Sequence, residues 1–178
     1  MKHFIGLGLL LLSIPLTSGA QTYYIVRHAE KAINDSASMT STDPPLSAQG
    51  KKRANALRDL LKKKSICYIF STNTLRTRQT AEPLSKKKHI ETQYYGPRPD
   101  SFFINQVKGL KCSMVIVGHS NTVDDIVNGL CGKQVLNDLP DAAYDNLFIV
   151  TKENGQFVFK QEKYGKKTPV RESSKRAQ

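Results

Sequence analysis

The sequence predicts an α/β fold: a mostly parallel sheet that ends in a C-terminal antiparallel hairpin. Three observations carry this. From Thr22 onward, short β-branched or aromatic runs alternate with longer segments of helical apolar spacing, the pattern of strands joined by crossover helices. The last two strand-like runs have no helix between them, only Glu153-Asn154-Gly155, which is a hairpin turn signal. The chain has 178 residues, enough for one domain with a substantial core and too few for two.

The first twenty residues stand apart from that pattern. Lys2 and His3 make a short basic start, residues 4–16 are mostly apolar, and Ser18-Gly19-Ala20 are small. This reads as a secretory signal peptide cut after Ala20, so the mature chain is expected to be secreted or periplasmic. The apolar stretch is short for a membrane span and no stop-transfer pattern follows, so no stable membrane insertion is expected after cleavage. The remainder divides into a folded domain over 21–164 and a basic tail, 165–178, of disordered composition.

The elements follow in order. Thr22-Tyr23-Tyr24-Ile25-Val26 is the first strand and ends at Arg27. A polar loop over 29–46 contains Asp43-Pro44-Pro45, which no helix can cross. Ser47 suits the N-cap of a helix with Ala54, Leu57, Leu60 and Leu61 on one face. Ile66-Cys67-Tyr68-Ile69-Phe70 is the second strand, followed by a helix over about 74–88. Residues 89–95 make a weaker third strand, ended by Gly96-Pro97-Arg98-Pro99. A short helix over 101–109 leads to Met114-Val115-Ile116-Val117, the most apolar strand, and another helix runs from near Asn121 to about Gly132. Residues 146–151 and 156–160 form the closing hairpin.

Composition narrows the function. Lys and Arg total 27 against 15 Asp and Glu, a net charge of +12, a field that would attract anionic substrates, lipid headgroups or nucleic acid. The Lys runs at 51–53, 62–64 and 86–88 have no interleaved aromatic residues, which argues for solvated helix faces and against nucleic acid. The three cysteines, Cys67, Cys112 and Cys131, leave at least one unpaired. Cys67 and Cys112 each fall near the start of a strand and could be neighbours in the sheet, although buried free thiols are the favoured reading. No Cys-x-x-Cys or His-x-x-x-His occurs, so neither a metal nor another cofactor is expected.

Ligands of such sheets bind at the carboxyl ends of the strands. The first strand ends in Arg27-His28. The second leads into Ser71-Thr72-Asn73-Thr74-Leu75-Arg76, with Arg76 in the first turn of its helix. The strand at Met114 leads into Gly118-His119-Ser120-Asn121. Two arginines and two histidines are thereby expected at one rim, beside free N–H groups at helix starts, an arrangement suited to phosphate. The phosphate-binding set is Arg27, Arg76, His119, Ser120 and Asn121.

These residues resemble a known family. Tyr24-Ile25-Val26-Arg27-His28-Ala29-Glu30, Leu46-Ser47-x-x-Gly50 with Arg53-Ala54, Ser71-x-x-x-Leu75-Arg76-x-x-Gln79-Thr80-Ala81-Glu82, and Val117-Gly118-His119-Ser120 are similar, in the family's order, to the histidine phosphatase (phosphoglycerate mutase-like) superfamily, in its small phosphatase type. The family's usual Gly after the first Arg-His is Ala29 here. The resemblance implies a three-layer α/β/α sandwich whose fifth strand runs antiparallel. It also implies that His28 is a nucleophile that becomes phosphohistidine, with Arg27 and Arg76 clamping the phosphoryl oxygens and a protonated His119 adding a donor. For that, His28 must be neutral, with its other ring nitrogen donating to a backbone carbonyl.

The proton donor to the leaving group is less determined. Related phosphatases carry Asp directly after the second His, where this chain has Ser120; mutase-like members use a carboxylate after the third strand, where this chain has Asp100. Glu30 is the competing candidate. The expected activity is that of an exported, metal-independent phosphatase, histidine acid phosphatase-like, acting on phosphomonoesters or phosphohistidine. The rivals are a non-catalytic anion-binding module of the cell envelope and a mutase-type phosphotransferase.

Overall fold

The computed structural model describes residues 21–32 and 42–168. The expected signal peptide, residues 33–41 of the long loop and residues 169–178 of the tail lie outside the described residues. Within them the chain runs β1 (Gln21–Arg27), α1 (Ala48–Leu61), β2 (Ile66–Thr72), α2 (Leu75–Lys88), β3 (Thr92–Tyr95), α3 (Ser101–Gly109), β4 (Ser113–Gly118), α4 (Val123–Cys131), β5 (Asn146–Glu153) and β6 (Gln156–Lys163).

The strands form one sheet in the order β3-β2-β4-β1-β5-β6. The first four are parallel neighbours, whereas β5 runs antiparallel to β1 and β6 antiparallel to β5. Alternation along the buried strands divides the apolar side chains between two faces. Tyr23, Ile25, Met114, Ile116, Phe148 and Val150 pack with α3 and α4 through Phe103, Val107, Ile126 and Leu130. Tyr24, Val26, Val115, Val117 and Leu147 pack with α1 and α2 through Leu57, Leu61, Ala81 and Leu84. The result is the three-layer α/β/α sandwich, with the antiparallel hairpin at one edge.

Local chemistry explains most element ends. Ser47 caps α1 as expected, its hydroxyl accepting from the Gly50 N–H at 3.1 Å. The β5–β6 turn places Asn154 at φ 50° and Gly155 at φ 82°, the left-handed pair that a two-residue hairpin requires. The third strand is shorter than the sequence suggests. His89 takes a left-handed conformation (φ 55°) as the C-cap of α2, so pairing starts only at Thr92.

One expectation is corrected here. Cys67 and Cys112 are not free thiols but a disulfide, with Cα atoms 5.9 Å apart, while Cys131 is free. Both precede or open adjacent strands, and the β2–β4 register brings those strand starts together. The first residues of the expected tail contact the domain. Arg53 Nη2 donates to the Lys166 carbonyl at 2.8 Å, and Asp145 accepts from the Thr168 N–H at 3.2 Å. Residues 165–168 are therefore held against the domain.

Candidate active site

Strand register builds the site. In the β1–β4 pairing Arg27 lies opposite Gly118, and the His28 N–H donates to the Gly118 carbonyl at 2.8 Å. Arg27-His28 and His119 are thereby set side by side, with ring centroids of the two histidines 5.4 Å apart. The β2–β4 pairing of Ser71 with Val117 adds Thr72 and the start of α2, which carries Arg76. Arg27, His28, Arg76, His119, Ser120 and Asn121 all line one open cleft of about 740 Å³ at this rim.

His28 is buried, and its Nδ1 lies 2.8 Å from the Ala29 carbonyl oxygen. A carbonyl only accepts, so Nδ1 carries the proton and Nε2 keeps its lone pair. Burial, then the neighbouring Arg27 and Arg76 guanidinium groups, pull this imidazole down to about 3. A neutral ring with one free nitrogen is the state that nucleophilic attack needs.

The loop after His28 is pinned from several sides. The Ala29 N–H donates to Thr80 Oγ1 at 2.9 Å, and the Leu46 N–H to Gln79 Oε1 at 2.7 Å. Gly50 passes so close to Glu30 that a Cβ there would lie 2.2 Å from the Glu30 carbonyl oxygen. Only glycine permits that approach. The Gln79-Thr80 pair and Gly50 of the sequence motifs thus hold the His28 loop.

Arg27 is also buried, and its Nη1 donates to the carbonyls of Asp141 at 2.7 Å and Pro140 at 3.2 Å. Its guanidinium carbon sits 4.2 Å from the centre of the Tyr144 ring, a cation–π contact. Nη1 is saturated by the two carbonyls. Nε, buried and without a hydrogen-bond partner, shares an edge of the guanidinium with Nη2. That edge is the fork an oxyanion takes. Neither Tyr144 nor Asp141, which also lines the cleft, was expected; nothing local in 133–145 marks them.

His119 differs from expectation. Its Nε2 lies 2.8 Å from Thr72 Oγ1, and Arg76 Nη2 donates to its Nδ1 at 3.4 Å. Accepting at Nδ1 makes the ring neutral, with its proton on Nε2 toward Thr72. Burial, then Arg76 and Arg27, pull it down to about 4. Burial and the two guanidinium groups together favour an unprotonated His119.

The helix starts are also less open than expected. The Leu75 N–H at the start of α2 donates to both oxygens of Asp43. After β4 a turn over 119–122 intervenes, with the Thr122 and Val123 N–H groups donating to the His119 carbonyl, and α4 begins only at Val123.

Both candidate acids are occupied elsewhere. Asp100 is the N-cap of α3, accepting from the Phe103 N–H at 2.8 Å, and it does not line the cleft. An uncapped helix start attracts the nearest side-chain acceptor, and Asp100 fills that role. Glu30 pairs bidentately with Arg53, at 2.7 Å to Nη2 and 3.0 Å to Nε; Arg53 is itself 2% exposed. That pair ties α1 to the His28 loop instead of facing the cleft.

The family model of the histidine phosphatase superfamily (branch 1) matches residues 23–95, which contain Arg27, His28 and Arg76. Over those residues the chain is similar to the histidine phosphatase superfamily. No curated protein matches it in sequence. Solved structures of similar fold include the protein histidine phosphatase SixA complexed with tungstate, at 20% identity over 80% of this chain and 97% of that one, TM-score 0.62. A mycobacterial glucosyl-3-phosphoglycerate phosphatase is 13% identical over 82% and 99% of the two chains, TM-score 0.59. YhfR of Bacillus stearothermophilus is 16% identical over 78% and 94%, TM-score 0.58. At these identities the likeness concerns the histidine phosphatase fold. Among the described residues no group of three or more His, Cys, Asp or Glu could hold a metal ion.

Proposed function

We propose that the protein is an exported phosphatase that hydrolyses phosphomonoesters or phosphohistidine through a phosphohistidine on His28. The observation that carries this is the His28 ring: neutral, tied at Nδ1 to Ala29, and flanked in one cleft by Arg27, Arg76 and His119. In the first step Nε2 forms a bond to phosphorus while the bond from phosphorus to the leaving group breaks. The leaving group keeps the electron pair, departs as an anion and takes any proton from solvent. In the second step water attacks phosphorus and gives up a proton to solvent, the N–P bond breaks, and Nε2 regains its lone pair as phosphate leaves. The Nε–Nη2 edge of Arg27 and the guanidinium of Arg76 would stabilise the equatorial oxygens, where charge spreads in the transition state. A bound phosphate dianion would favour protonation of His119, which then becomes a further donor.

With Asp100 and Glu30 engaged elsewhere, the cleft suits leaving groups that depart without strong acid assistance, such as phenolates or an imidazole. The similarity to phosphatases of phosphohistidine and of a sugar phosphate ester is compatible with either substrate. Export is supported by the N-terminal sequence and by the Cys67–Cys112 disulfide, since such bonds persist in oxidising compartments.

Acid-quench trapping tests the mechanism. Incubation with a phosphate-labelled aryl phosphate is expected to leave acid-labile label on the wild-type protein and none on His28→Ala. Absence of label on the wild type, or equal label on both, defeats the proposal.

A further inference from the structure

The start of α2 is held by a residue that the steps above do not use. Thr74, its N-cap, makes no side-chain capping bond. Asp43 supplies the cap instead, its two oxygens accepting from the Leu75 N–H at 3.0 and 2.8 Å. The same carboxylate accepts from Arg76 Nη1 at 3.3 Å. Arg76 Nη2 meanwhile donates to His119 Nδ1. The guanidinium is thus suspended between a carboxylate on one nitrogen and an imidazole on the other. Thr42 and Pro44, on either side of Asp43, both line the cleft.

We propose that Asp43 is a positioning residue for Arg76, and that its charge weakens the site's hold on inorganic phosphate; this rests on the phosphatase reading above. Two physical effects of opposite sign are involved. A long arginine side chain in a half-open cleft has many rotamers, and a fixed acceptor removes that freedom before substrate arrives. At the same time, a carboxylate on the clamp and on the helix start offsets part of the positive potential that binds an anion. The offset is screened, because the Asp43 side chain is 43% exposed. It favours release of phosphate after each turnover. A carboxylate that served only as a helix cap would do neither, because asparagine caps a helix about as well as aspartate.

Two substitutions separate these effects, measured by calorimetric binding of inorganic phosphate and by turnover of p-nitrophenyl phosphate. Asp43→Asn keeps one acceptor oxygen, which Leu75 and Arg76 can share as they share Oδ1 of Asp43, and removes the charge. It is expected to bind phosphate about fivefold more tightly, and kcat/KM for the likewise anionic p-nitrophenyl phosphate should rise and not fall. Asp43→Ala removes the positioning as well, and kcat/KM is expected to fall about tenfold or more. Unchanged phosphate affinity in Asp43→Asn overturns the charge effect, and it does so whether or not Asp43→Ala folds. Wild-type kcat/KM in a folded Asp43→Ala overturns the positioning. A wild-type protein that binds no phosphate, or binds it equally well as Arg76→Ala, defeats the parent reading instead.

Discussion

His28 Nδ1 donates to the carbonyl oxygen of Ala29, its own neighbour in sequence, at 2.8 Å. One short contact therefore sets the tautomer of the proposed nucleophile and aims Nε2 away from the backbone. Because Ala29 is in turn held by Thr80, the orientation of His28 depends on α2 as well as on β1.

A pH dependence follows. In the unfolded chain His28 titrates near 6.5, whereas in the fold it is pulled down to about 3 and His119 to about 4. Below pH 6.5 the unfolded state binds protons that the folded state refuses, so stability falls as pH drops, levelling off only near 3. For His28 the slope approaches about 1.4 kcal/mol per pH unit. Urea midpoints measured between pH 7 and 4.5 should decline, and less steeply in the His28→Asn, His119→Asn double variant. In the same variant series kcat/KM is read for the wild type. After correction for substrate ionisation, its acid limb should lie at or below pH 4, not near 6.5.

Asp100 separates capping from acid catalysis. Asp100→Asn keeps an acceptor for the Phe103 N–H and should leave both stability and kcat/KM within about twofold. Asp100→Ala should lose about 1 kcal/mol in chemical denaturation, with kcat/KM again preserved. Across a series of aryl phosphates the rate should rise steeply with leaving-group acidity, because no poised carboxylic acid assists departure. A flat dependence, or a hundredfold fall in Asp100→Asn, would show that Asp100 moves to the cleft during turnover.

The disulfide is testable by counting thiols. The native protein should titrate as one thiol, Cys131, and the reduced, unfolded protein as three. Bridging residues 45 apart in sequence constrains the unfolded chain by about 4 kcal/mol on the loop-entropy model. A Cys67→Ser, Cys112→Ser variant should lose stability on that order, with kcat/KM unchanged because the bridge lies at the strand starts, away from the cleft.

The site residues were legible because they obey a local rule. Arg27-His28, Arg76 and Gly118-His119 each follow a strand that β-branched and aromatic residues announce, and strand ends in a parallel sheet converge. The motif residues Gly50, Gln79 and Thr80 were legible too, although what they do is visible only in three dimensions: they clamp the loop that carries His28. Local signals misled where two uses competed for one residue. Asp100 has the right chemistry for an acid and the right position for a helix cap, and the unsatisfied N–H groups of α3 claim it. Glu30 is claimed by Arg53 in the same way.

By itself, the sequence determined the order of strands and helices, the antiparallel closing hairpin and the four cationic or imidazole groups at one rim. Periodicity and turn chemistry act over a few residues, so a single chain displays them directly. Only the tertiary structure decided that Asp43 holds Arg76, that Tyr144 and two loop carbonyls hold Arg27, that His119 meets Thr72 and Arg76, and that Cys67 meets Cys112. These contacts join residues separated by 33 to 117 positions, and their formation depends on strand register and loop closure. No local pattern encodes either one.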